Sequence, residues 1–157
     1  MINKNLIGRC GLYCGTCPIY RAYKDSKELQ GKLSEKYGCL PEEVRCEGCQ
    51  ALSTYPWTYE KQWGSNCKIV KCLNANKLIF CFECSDYNTC KKHTKLAESC
   101  SGLEMDLRAN LQMIQEEKDE EWLLEQDKRW RCTKCGNPII VSYKFLHCHW
   151  CGNKLRD

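Results

Sequence analysis

The sequence predicts a small metal-stapled α+β fold: an irregular, helix-rich amino-terminal domain (residues 1–100), a helical connector (101–131) and a carboxy-terminal zinc ribbon (132–157). Three observations carry this. The chain has 16 cysteines in 157 residues, about a tenth of its length, the range in which staples replace hydrophobic core. Ten of them form five Cys-x-x-Cys pairs, Cys14/Cys17, Cys46/Cys49, Cys81/Cys84, Cys132/Cys135 and Cys148/Cys151, with a looser pair at Cys67/Cys72. Residues 101–131 contain no cysteine and carry apolar side chains at helical spacing instead.

Two thiolates two residues apart sit on one tight turn and can grip one ion, so paired turns point to metal. A disulfide framework is the alternative, but Met1 to Leu6 has no apolar signal region and no later stretch approaches a membrane span. The expected compartment is therefore the reducing cytoplasm, which favours metal-bound cysteines over disulfides. The formal charge of +4 is only weak evidence for a nucleic-acid partner, which is possible but disfavoured. A zinc ion with four thiolates carries −2, so the three ions expected from six pairs would leave the chain near about −2.

Along the amino-terminal domain, Pro18 suits a first helical turn after Cys17. Ile19, Ala22, Tyr23, Leu29, Leu33 and Tyr37 predict one helix over 19–37, ended by Gly38. Pro41 to Val44 reads as a short helical turn, residues 50–66 as an aromatic loop with Tyr55, Trp57, Tyr59 and Trp63, and Leu78 to Phe82 as a short strand. A further helix starts near Thr89. In the connector, Leu103, Leu107, Leu111 and Ile114 make one apolar stripe, and Trp122, Leu123 and Trp130 a second beginning at an Asp119 cap. This stretch has nine acidic and five basic residues and would repel a phosphate backbone.

Cys132-Thr-Lys-Cys135-Gly136 and Cys148-His-Trp-Cys151-Gly152 stand twelve residues apart, and each glycine permits the positive φ that turns backbone amides toward sulfur. Between them Ile139 to Tyr143 predicts the ribbon strand, while His147 and His149 read as surface residues rather than ligands. A closed four-thiolate zinc site of this kind is structural, not catalytic.

The other four pairs combine into two four-cysteine sites in three ways. Sequence proximity favours Cys46/Cys49 with Cys67/Cys72, leaving Cys14/Cys17 with Cys81/Cys84, and a cross-braced arrangement competes. Cys10 and Cys90 are further candidate ligands, with His93 three residues beyond Cys90, whereas Cys39 and Cys100 read as buried small hydrophobes. Cys10-x-x-x-Cys14-x-x-Cys17 resembles the iron–sulfur loop of radical S-adenosylmethionine enzymes over eight residues. It lacks the aromatic residue expected where Thr16 stands, and the chain is short of the ~200 residues a β/α barrel takes. An iron–sulfur cluster of another kind in the amino-terminal domain stays open as the alternative to zinc. Cys14-Gly-Thr-Cys17-Pro18 also resembles a thioredoxin-type dithiol, but no adequate strand precedes it.

The segment Ile7-Gly8-Arg9-Cys10-Gly11-Leu12-Tyr13-Cys14-Gly15-Thr16-Cys17-Pro18-Ile19-Tyr20 resembles the opening of a cysteine-rich domain of unknown function found in bacteria and archaea. Cys46-Glu47-Gly48-Cys49, Cys67 to Cys72, and Phe82-Glu83-Cys84 leading to Cys90 continue the pattern, with Thr89 where the family commonly has proline. The resemblance spans about residues 6–95 and implies metal binding, through Cys81 and Cys84 among others, without supplying a reaction. No Gly-rich phosphate loop and no Ser/His/Asp pattern appears, so catalysis is not the leading expectation. The favoured task is that of a zinc-stapled interaction or adaptor protein with a protein partner, its contact surface at Tyr55 to Trp63. Nucleic-acid binding through the basic terminal residues and metal or thiol redox chemistry are the alternatives.

Overall fold

The computed structural model describes residues 2–157; Met1, the first residue of the polar opening segment, lies outside the described residues. Among the described residues six α-helices carry the fold: α1 (Pro18–Asp25), α2 (Lys27–Tyr37), α3 (Lys68–Ala75), α4 (Lys91–Ser101), α5 (Leu107–Gln115) and α6 (Asp119–Arg129). Short 3-10 turns link them, among them Lys4–Leu6, Cys14–Thr16, Cys49–Ala51 and Cys81–Glu83. The protein is therefore small and helix-rich, with most of its cysteines in the connecting turns and Cys72 and Cys100 inside α3 and α4.

The helix expected over 19–37 is two helices. Ser26 is extended at φ −150°, and its hydroxyl accepts the Leu29 N–H at 3.1 Å, ending α1 and capping α2. Gly38 closes α2 in the left-handed conformation, as expected. The stripe of the connector splits at Asp106, whose carboxylate accepts the Arg108 and Ala109 N–H groups and opens α5 after Leu103. Asp119 is the first residue of α6 rather than its cap and pairs with Lys4 at 2.9 Å.

Neither expected strand forms. Among the described residues, β structure is confined to isolated bridges, Ile7 with Tyr13, Arg131 with Pro138, Ser142 with Phe145 and His147 with Lys154. At 78–82 the Glu83 carboxylate accepts the Ile79 and Phe80 N–H groups at 2.7 and 2.6 Å, which diverts the donors a ladder would need. At 139–143 the backbone donors go to two different places: Ile139 N–H binds the Trp130 carbonyl at 3.1 Å and Val141 N–H binds the Thr16 carbonyl at 3.1 Å. The terminal module is thereby tied to the turn between Cys14 and Cys17.

One hydrophobic cluster runs from Leu6, Ile7 and Tyr13 through α5 and α6 to Ile139 and Val141. Trp122 is fully buried at its centre and meets Tyr13 edge-on, with ring centroids 6.0 Å apart. A second cluster packs Ile19, Ala22, Leu33 and Val44 around Trp57, which is 2 % exposed. Trp57 is thus core, whereas Tyr55, Tyr59 and Trp63 of the same loop stay exposed.

Candidate metal centre

At the carboxy-terminal end, Cys132, Cys135, Cys148 and Cys151 place their Sγ atoms all within 4.8 Å of one another. The Cys132–Cys151 and Cys135–Cys148 contacts are both 3.8 Å. A tetrahedron of thiolates about 2.3 Å from a central ion has an edge of about 3.8 Å, so the four sulfurs stand where one ion would bind them all. The knuckles form as the sequence requires. Gly136 and Gly152 take φ of 73° and 72°, and their N–H groups return to the Cys132 and Cys148 carbonyls at 2.8 Å each. The backbone N–H of Cys135 and then that of Lys134 pull the Cys132 thiol down to about 6, toward the thiolate a metal needs. Burial, first, pushes the Cys148 thiol up.

His147 is exposed, as expected, but His149 is not a surface residue. Its Nε2 lies 2.9 Å from Asp25 at the end of α1, with both side chains less than a tenth exposed, and Arg21 approaches the same carboxylate at 3.5 Å. Neither histidine belongs to the four-sulfur group. The buried bridge bolts the second knuckle onto α1, and nothing in the local spacing of the sequence marks it.

The amino-terminal cysteines are gathered more loosely. Cys17, Cys67 and Cys90 each occupy the residue before a helix, α1, α3 and α4. Cys10, Cys14, Cys17, Cys46, Cys49 and Cys67 line a single cavity of about 370 Å³. Burial and then Cys49 and Cys46 push the Cys14 thiol up, and burial and then Cys46 push Cys17 up to about 12. Cys14 and Cys17 thus share this cavity with Cys46 and Cys49, whereas Cys81 and Cys84 do not line it. Gly48 makes this approach possible: its φ is 106°, and a Cβ there would run into the Asn5 carbonyl.

On the other side of the cavity, burial and then Cys49, Cys67 and Cys81 push the Cys10 thiol up. Burial, then Cys90, Cys72, Cys67 and Cys49, push Cys81 up to about 12. The Cys81 N–H donates to the Arg9 carbonyl at 3.0 Å, which pins that turn beside Cys10. His93 is fully buried, and its Nε2 donates to the Cys10 carbonyl at 2.9 Å; since a carbonyl only accepts, Nε2 carries the proton. Cys84 is half-buried in the turn after Cys81, Cys100 is buried in the main core, and Cys39 is half-buried. Among the described residues, no group besides the carboxy-terminal four brings three Cys, His, Asp or Glu ligand atoms within 4.8 Å of one another.

The class so defined is a helix-rich, cysteine-rich protein with a four-cysteine cluster that can hold a metal ion. Residues 6–95, more than half of the chain, match the family described as Protein of unknown function (DUF3795), and the chain belongs to that family. No curated protein and no solved structure matches it. No helix among the described residues is long and apolar enough to cross a membrane.

Proposed function

We propose that the chain is a zinc-stapled interaction protein whose carboxy-terminal module is a zinc ribbon. The observation that carries the zinc reading is the 3.8 Å sulfur spacing at Cys132, Cys135, Cys148 and Cys151. It fits the tetrahedral, all-thiolate coordination zinc prefers, and four protein ligands leave no open position for a substrate. The ion's work is structural, holding a 26-residue module against α1 and the Cys14–Cys17 turn. Further metal in the amino-terminal half, taken from Cys14, Cys17, Cys46, Cys49, Cys67, Cys72, Cys81 and Cys84 with Cys10 and Cys90, completes the stapling.

A protein partner is the reading supported by the exposed aromatic loop. Tyr59 stacks at a tilt on buried Trp57 with centroids 5.4 Å apart and bonds Glu43 at 2.7 Å, while the Arg45 guanidinium lies 4.1 Å from the Tyr55 ring. These contacts brace Tyr55 and Tyr59, and with exposed Trp63 they make a surface of aromatic anchors of the kind that interfaces use. The 16 free cysteines support a reducing compartment, the cytoplasm.

Elemental analysis of the purified chain tests the metal reading. One zinc is expected to disappear on Cys135→Ser together with Cys148→Ser, and zinc content unchanged by that double substitution removes it. Affinity capture comparing Trp63→Ala with the wild type tests the interaction reading. Identical partners from a folded Trp63→Ala, Tyr55→Ala chain would sink it.

A further inference from the structure

Charge is laid unevenly along this chain. Of its 24 basic and 20 acidic residues, six lysines and two acids fall between positions 67 and 95, so that segment holds the whole formal excess of +4 and the rest is balanced. The six are Lys68 and Lys71 of α3, Lys77 just beyond it, and Lys91, Lys92 and Lys95 of α4. All are exposed, and none joins an ion pair among the described residues. Lysines elsewhere do meet carboxylates, as Lys4, Lys32 and Lys118 do at 2.9, 2.6 and 2.8 Å.

The fold turns these lysines outward together. Helices α3 and α4 adjoin and bury their other sides, α3 through Ile69, Val70 and Leu73 and α4 through His93 and Cys100. The acids of the segment do little to cancel the face, because the Glu83 carboxylate is taken up by the Ile79 and Phe80 N–H groups. Glu98, three residues past Lys95, is the next acid along α4. Two arginines are fastened to the same helices: Arg9 donates to Asn74 of α3 at 2.7 Å, and Arg108 donates to Thr94 of α4 at 3.0 Å. Four thiolates of this segment on one zinc ion would bring about −2 and still leave it near about +2.

We propose that this face of α3 and α4 binds the phosphate backbone of a nucleic acid. Ammonium groups left without carboxylates are what sequence-independent phosphate contact needs, and the counterions they displace from the polymer supply the affinity. A protein partner would want a desolvated apolar centre, from which lysine is depleted, and a membrane would want an apolar face to insert. Ile79 is the one large apolar side chain exposed in residues 67–95, too little for either. The 8 residues of α3 and 11 of α4 extend about 12 and about 16 Å, enough to reach several phosphates of a duplex with one charge every ~1.7 Å. The acidic connector repels the same polymer and confines it to the α3–α4 side. This surface is separate from the aromatic loop assigned to a protein partner, so each reading stands or falls without the other.

The metal-loaded full chain is titrated against a short labelled DNA duplex of mixed sequence, with binding read by fluorescence anisotropy at several salt concentrations. Binding is expected at low salt, falling on a log–log salt plot with a slope of about −3 to −5. Lys71→Gln, Lys92→Gln and Lys95→Gln together should weaken it at least about tenfold and flatten the slope by about 2.7. Lys27→Gln, Lys32→Gln and Lys61→Gln remove the same charge from exposed positions elsewhere and should leave the slope unchanged. The Tyr55→Ala, Trp63→Ala chain should bind the duplex as the wild type does. No binding at low salt, a slope near zero, or equal losses from the two triple substitutions overturns the proposal. Polyglutamate or phosphatidylserine vesicles binding more tightly than the duplex at equal salt also overturns it, in favour of an acidic protein or a lipid surface. The wild-type slope and these comparisons decide the matter by themselves if a substituted chain does not fold.

Discussion

Gly48 shows how a single missing side chain sets the layout of the amino-terminal half. At φ 106° and against the Asn5 carbonyl, it lets the Cys46–Cys49 knuckle sit on the first turn of the chain, with Gln50 donating to the Ile7 carbonyl at 2.9 Å. Gly48→Ala combines a strained backbone with a collision, so we expect a loss of about 2 kcal/mol or more in urea unfolding. A loss under a few tenths would show that the knuckle shifts without cost. His93 is a second such position. His93→Phe keeps a ring of similar size against Tyr87, whose centroid lies 5.1 Å away, but strips the Cys10 carbonyl of its donor. A buried carbonyl left unpaired costs about 1–3 kcal/mol, again readable in the unfolding midpoint.

Helix boundaries in this protein are set by side chains that serve turns and metal knuckles as much as helices. The break at Ser26 follows from one hydroxyl. Removing it in Ser26→Ala should cost about 1 kcal/mol and lower helical circular dichroism as α2 frays at its start, with no change expected at α5. The signal was present in the sequence, a serine three residues before Leu29 inside an otherwise regular stripe, but the periodicity of Ile19 to Tyr37 continues across it and hides it. The left-handed glycines after Cys135 and Cys151 were legible for the opposite reason, because a metal knuckle dictates their geometry locally. Strands were not legible. Ile139 to Val141 have the β-branched composition of a strand, yet their backbone donors are claimed by Trp130 and Thr16, partners distant in sequence. The sharing of one cavity by Cys14, Cys17, Cys46 and Cys49 likewise depends on how the first turn packs, which no spacing of cysteines encodes.

Across the whole molecule, the two ends meet. The Val141–Thr16 backbone bond, the Asp25–His149 bridge at 2.9 Å and the Tyr143 hydroxyl donating to the Ser99 carbonyl at 2.6 Å join the terminal module to the cysteine-rich half. A strong chelator that strips the carboxy-terminal ion should therefore do more than unfold residues 132–157. Amide hydrogen exchange should speed up at Cys132 and Cys148 first, and also at the Cys14–Thr16 turn and the end of α1, with the rest of α2 unaffected. Exchange confined to the terminal module would show that it docks without support from its ion.

The Thr16 carbonyl lies between two candidate ligands, Cys14 and Cys17, while its partner Val141 belongs to the loop between the two carboxy-terminal knuckles that could hold an ion. Any preference of one metal centre for the docked arrangement is then shared by the other, and the effect must run equally in both directions. Loading the carboxy-terminal site should tighten metal retention at the amino-terminal thiols by the same factor that loading the thiols tightens the carboxy-terminal site. If both ends bind metal as proposed, the two sites should fill and empty together when metal is scarce.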